Sequence, residues 1–301
     1  MSHFTVLVIG GDPDGLLEPY WELDLSAEEM INDPRAEFKI EVINTPSTGV
    51  IPPPGSRFNY PHDVETVDEL FAKFKSEHPD RADQYGDIRQ WLDVWHGFTY
   101  SEEHNAWGYW SNPYAKWDWY QIGGRWAGLL VLKPGKKGHR GEESWTWDGE
   151  GPYKPDDNRA RVDQALFDDI DWDFMDTPTE KELKNMESIW YHNVENPLTN
   201  EQLQSVSEEE RREILQFRSF YNRQYFVDRY GTLEKYIEAE GKFSTYAVLD
   251  AAGWHSPGDM GWFGMSTESH EDSVLWSLKF RENFLTNVDP TELITVVDCH
   301  I

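Results

Sequence analysis

The chain has 301 residues, room for one large domain or two small ones, and its 15 Trp, 14 Tyr and 15 Phe point to an aromatic-rich folded core and away from a disordered chain. Its 56 acidic against 27 basic residues leave a net charge of −29, a field that repels a phosphate backbone; solubility is the plain explanation, and a DNA-mimic surface offered to a nucleic-acid-binding partner the sharper one. A single cysteine, Cys299, excludes an intramolecular disulfide framework and a multi-cysteine zinc site and fits a reducing cytoplasm; "MSHFTVLVIG" lacks the basic flank of a signal peptide, and no apolar run of about 18 residues suggests a membrane span.

In chain order, "HFTVLVI" reads as a strand buried on both faces. "GGDPDG" at 10–15 reads as a turn, and the acidic segment that follows holds a short helix near residues 27–31. "EFKIEVI" alternates as a half-buried strand, and "TPSTGVIPPPGSRFNYP" is a loop because Pro52, Pro53 and Pro54 remove three amide donors. Thr66 with Glu69 has capping-box spacing and opens a helix striped by Leu70, Phe71 and Phe74. A second helix is expected from Asp83 to Trp95.

The Trp-rich region 107–147 has a period near two, giving strands around 117–122, 125–133 and 144–148 with "KPGKKGHR" as an exposed hairpin loop. Helical patterns return in "TPTEKELKNMESIW", in "SEEERREILQFRSFYNRQYFVDRY" opened by Ser207 and Glu210, and in "TLEKYIEAEG" ended by Gly241. Strand, loop, strand, helix and strand then run through "FSTYAVLD", "GDMGWFGM", "HEDSVLWSLKFRENFL" and "LITVVDCHI". Together these predict a single α+β domain over residues 1–301. Its sheet is mixed and mostly antiparallel with the N- and C-terminal strands central, and helices, including a mainly helical segment at about 177–241, pack on it.

Few segments carry specific chemistry. "IGGDPDG" lacks the glycine spacing of a dinucleotide fingerprint and the Lys-Ser/Thr pair of a P-loop, while Asp12 and Asp14 repel phosphate. In "VVDCHI" a strand places Asp298 and His300 on one face and Cys299 on the other. With His3 on a neighbouring strand, those two could ligate a divalent metal; an edge-of-sheet polar pair is the plainer alternative. No Gly-x-Ser-x-Gly elbow exists, and Cys299 reads as a buried inert thiol. The carboxylates of "DDIDWD" are too plentiful to discriminate.

"NPYAKWDWYQIGGRW" at 112–126 is the best ligand-site candidate. In a strand, Trp117, Trp119 and Gln121 face one way and Lys116, Asp118, Tyr120 and Ile122 the other, so both faces are expected to be covered. Gly123 and Gly124 permit a bulge that re-aims Arg125 and Trp126. A nucleobase or sugar ring could lie on the indoles with Asp118, Gln121 and Arg125 giving direction, so the candidate set is Asp118, Trp119, Gln121, Arg125 and Trp126. The competing reading is an Asp118–Arg125 ion pair inside an aromatic core.

Four segments, "MSHFTVLVIG", "NPYAKWDWYQIGGRW", "VDQALFDDIDW" and "VVDCHI", together resemble a group of uncharacterised proteins of tailed bacteriophages and prophages in which such segments recur in this order. The chain departs from that pattern at Tyr114, where a small polar residue such as Asn is expected, and in the acidic stretch after the first strand. The resemblance carries over no activity and no site residue. It implies a phage or prophage origin, the bacterial cytoplasm as location, and an accessory role.

Two functional readings follow. The first is a non-catalytic binder of a host protein or small ligand, using the Trp-rich region or the acidic surface, with no cofactor and no membrane partner. The second is a hydrolase or transferase acting on a nucleotide or sugar around Asp118 and Arg125, assisted by a metal at His3, Asp298 and His300.

Overall fold

From Phe4 onward every residue of the first strand is buried, as an apolar, β-branched run demands when strands flank it on both sides. The computed structural model describes residues 2–23, 25, 27–45, 49–51, 67–82, 84–144, 158–261 and 265–301. The chain forms two compact units, one from Met1–Glu18 with Lys116–Ile301 and one from Pro19–Ala115.

The larger unit is built on a seven-stranded mixed sheet: β1 His3–Ile9, β2 Trp119–Gly124, β3 Glu142–Glu143, β4 Gln164–Leu166, β5 Ala247–Asp250, β6 Gly253–His255 and β7 Leu293–His300. The order is β6-β5-β1-β7-β2-β3. β7 has length enough to pair with β2 along residues 297–300 and with β4 along residues 293–295. The first and last strands are therefore central and antiparallel, His3 opposite His300 and Ile9 opposite Ile294. β1 runs parallel to β5, and β2 parallel to β3.

One face of this sheet buries Leu7, Ile9, Ile294 and Val296 against Trp172, Phe243, Phe280 and Leu285. A second cluster within the unit joins Met186, Trp190, Phe226, Tyr230 and Tyr236 from helices Glu180–Trp190, Arg223–Tyr230 and Leu233–Glu240, the expected helical layer. Thr179 and Glu182 close a capping box at its start.

The smaller unit has its own antiparallel sheet, in order Gly49–Ile51, Glu37–Thr45, Ala106–Ser111, Thr99–Ser101. Helices Val67–Glu77 and Ile88–His96 close it around Phe71, Phe74, Trp91, Leu92, Phe98 and Trp107.

Several boundaries differ from expectation, each for a local reason. Pro13–Leu17 is a short helix where a turn was expected; Asp12 caps it by accepting from the Gly15 amide (3.1 Å), with Pro13 at its first position. The helix expected from Asp83 begins at Ile88, since Asp87 accepts from the Gln90 amide (2.9 Å) as its cap. Gly49–Ile51, expected in a loop, is a strand paired with Glu37–Thr45.

No strand spans 125–133. Residues 125–128 turn, and Leu130–Val131 pairs with Arg161–Val162. Residues 134–140 are exposed as expected but close no hairpin, because Glu142–Glu143 instead runs parallel to Gly123 and Gly124. The long helix from Ser207 is two helices, Glu208–Phe217 and Arg223–Tyr230. Thr66, Pro52, Pro53, Pro54, residues 145–148 and residues 262–264 lie outside the described residues, and with them the Thr66 capping box and most of the third Trp-region strand.

Candidate functional site

Register decides which side chains meet at the open end of the sheet. Directly opposite residues of antiparallel strands share a face, so the β1–β7–β2 pairing sets His3, His300 and Trp119 in one rung and Thr5, Asp298 and Gln121 in the next rung of that face. Phe4, Cys299 and Tyr120 take the other face. There Trp117 is buried, its indole N–H donating to the Leu17 carbonyl (3.2 Å), and the Tyr120 hydroxyl donates to Asp14. Burial and the Asp14 carboxylate both push the Tyr120 phenol upward from its ordinary range.

Within the first rung, two imidazoles stand beside one another, ring centres 4.9 Å apart. His3 Nδ1 donates to Asp298 Oδ1 (2.8 Å), and His300 Nδ1 donates to Asp118 Oδ1 (2.6 Å). Asp118 is held by the Trp119 amide donating to the same oxygen (2.6 Å) and by its own amide donating to the His300 carbonyl (2.9 Å). The Trp119 indole stacks on His300 (5.7 Å, 28°) and meets His3 edge-on (5.7 Å, 90°). At 45% exposure Trp119 leaves its face open, against the expectation that both faces are covered.

Asp298 is fully buried, and its second oxygen accepts from the Arg125 amide (3.0 Å). This contact explains the "GG" of the motif. Gly124 has φ +56°, and a Cβ there would lie within 3.0 Å of the Asp298 side chain; Gly123, φ +84°, is pressed in the same way against Asp163. Asp163, also fully buried, accepts from the Gly128 amide (2.5 Å) and the Gly141 amide (2.8 Å), tying the 125–128 turn to the segment ahead of β3. Desolvation raises its pKa against those hydrogen bonds.

The structure thus merges two sets that sequence reasoning kept apart. Asp118 and Trp119 of the ligand set lie with His3, Asp298 and His300 of the metal set. Gln121 is on the same face but is engaged by Ser144 Oγ (2.5 Å) and Glu142 (3.2 Å). Trp126 packs against the main core, and Arg125 contributes its amide to Asp298. The Asp118 carboxylate turns to His300, where an ion pair with Arg125 had been the competing expectation.

Among the described residues no group of three or more His, Cys, Asp or Glu side chains is disposed to hold a metal ion. The two carboxylates face different imidazoles, making two Asp–His pairs, His3 with Asp298 and His300 with Asp118. A carboxylate accepting from Nδ1–H fixes the tautomer whose Nε2 carries the lone pair, and neither Nε2 makes a hydrogen bond among the described residues. Such pairs can take up and return a proton at a substrate. Cys299 is fully buried on the opposite face, and burial holds its thiol well above the usual range.

The cross-pairing and the Asp163 brace were missed in the sequence, and no local spacing signals either; His3 and Asp298 are 295 positions apart. No family model matches the chain, and no curated protein or solved structure matches it. No helix among the described residues is long and apolar enough to cross a membrane.

Proposed function

We propose that the chain is a phage accessory protein that binds a small ligand with a planar ring against Trp119 and acts on it by proton transfer through His3 and His300, as a hydrolase or transferase of the nucleotide or sugar class. One observation carries this reading: two carboxylate-oriented imidazoles lie side by side under a half-exposed indole. A base and an acid are what cleavage of an ester, phosphoester or glycosidic bond needs, and an indole face supplies a platform for a ring.

The test is titration of the full chain with a panel of nucleotides and sugars, reading intrinsic fluorescence and product formation together. A ligand that quenches the wild type, loses its response in Trp119→Ala, and is bound but no longer turned over by His3→Gln or His300→Gln supports the proposal. A flat response across the panel refutes it.

The non-catalytic reading, docking on a host protein, draws on a different observation. Phe220 is 99% exposed and in ring contact with exposed Tyr221, and Leu215 five residues earlier is exposed as well. Capture of one defined host protein by the wild type and not by Phe220→Ser, with the histidine variants capturing normally, would favour it.

A further inference from the structure

The larger unit also holds a pocket whose lining includes neither of the paired histidines. The pocket, of about 680 Å³, opens between the Leu130–Val131 and Arg161–Val162 ribbon, the short helix Trp172–Met175 and helices Glu180–Trp190 and Leu233–Glu240. Its size falls in the range of about 300–1,000 Å³ typical of small-molecule sites. Val131, Phe174, Met175, Met186, Ile189 and Phe243 make the walls. Two unbranched thioethers among them give a surface that adapts to a flexible apolar chain better than a rigid aromatic one would.

Charge gives the pocket its direction. In a chain with twice as many acidic as basic residues, three cations, Arg161, Lys181 and Lys242, line this one pocket against two carboxylates, Glu182 and Glu240. Both carboxylates are engaged by the protein itself: Glu182 accepts from the Thr179 amide (2.7 Å) and hydroxyl (2.8 Å), and Glu240 from the Tyr230 hydroxyl (2.7 Å). Lys242, half-buried where the chain leaves Gly241, forms no ion pair among the described residues. An apolar cavity with a surplus of positive charge suits a molecule with a hydrocarbon body and one anionic end.

We infer that this pocket binds a medium- to long-chain carboxylate, its alkyl chain among Met175, Met186, Ile189 and Phe243 and its carboxylate at Lys242. The protein's net charge of −29 disfavours an anion over much of its surface, so the cations of this pocket give the head group direction while the alkyl chain supplies affinity.

Calorimetric titration of the full chain with octanoate, decanoate and dodecanoate below their micellar concentrations, and with dodecanol below its solubility limit, tests the inference. Saturable binding of dodecanoate is expected at one site, with affinity rising by up to about fourfold for each added methylene. Lys242→Glu should weaken dodecanoate at least tenfold and leave dodecanol unchanged. Ile189→Trp, which fills the cavity, should weaken both. Lys242 is only half-buried and forms no ion pair among the described residues, so its variant keeps the test valid even where Ile189→Trp fails to fold. Absence of saturable dodecanoate binding, or equal affinity for acid and alcohol, or dodecanoate binding indifferent to Lys242→Glu, overturns the inference.

Discussion

Replacing Gly124 with alanine tests the support of the candidate site at its narrowest point. Two costs add. A non-glycine residue at φ +56° pays about 1–2 kcal/mol for the left-handed backbone. The new methyl would also stand within 3.0 Å of the Asp298 side chain, whose Cβ is fixed by the central strand β7, and overpacking of that kind costs about 1–3 kcal/mol. The expected loss is therefore about 2–5 kcal/mol in the urea-induced unfolding of the larger unit. Gly135→Ala is the control, since Gly135 has φ +79° with nothing within 4 Å of an added Cβ, and should pay the backbone cost alone. Displaced Asp298 also releases the His3 ring, so His3 signals should move in Gly124→Ala and not in Gly135→Ala. Equal destabilisation by the two substitutions, within about 0.5 kcal/mol, would refute the claim that the glycine exists to admit the carboxylate.

Asp163→Ala strands the Gly128 and Gly141 amides and should cost about 2–4 kcal/mol by denaturant titration, with no effect on the smaller unit. Asp298→Asn should hold the fold while abolishing turnover in any assay that detects it, because an amide cannot be relied on to orient His3 as a carboxylate does; unchanged turnover would remove His3 from the mechanism. In the smaller unit, burial lowers the His96 pKa from 6.5 to about 4. The unfolded chain then takes up a proton that the folded one refuses, so stability should fall as pH drops from about 6.5 towards about 4 and level off below. Unfolding curves for His96→Gln should be flatter over that window.

What could be read in the sequence was whatever a short stretch decides alone. β1 and β7 announce themselves as mostly apolar runs, and Ser207 and Gly241 mark helix ends by their own chemistry. The Asp12-Pro13 pair was an equally local cap signal, masked by the glycines around it. The break after Phe217 was not legible, because no glycine or proline causes it. Asn193, from another helix, donates to the Phe217 carbonyl (2.8 Å) and accepts from the Ser219 amide (2.8 Å), capping that end through space. The same distinction governs the site. Strand period put Asp298 and His300 on one face, but only the tertiary register brings Asp118 to His300 and Asp298 to His3. Arg125, singled out in the sequence for its side chain, meets Asp298 through its backbone amide.

The pairing of β1 with β7 also sets a timetable. Closing a loop of 295 residues costs about 5 kcal/mol of chain entropy before any contact repays it. At about 5–20 residues per second a ribosome needs on the order of 15–60 s to make the intervening chain. For that interval a mostly apolar strand lacks this antiparallel partner. The paired histidines therefore come together only once the strand that carries His300 has been made, and a product released before it carries an unpaired strand edge and no site.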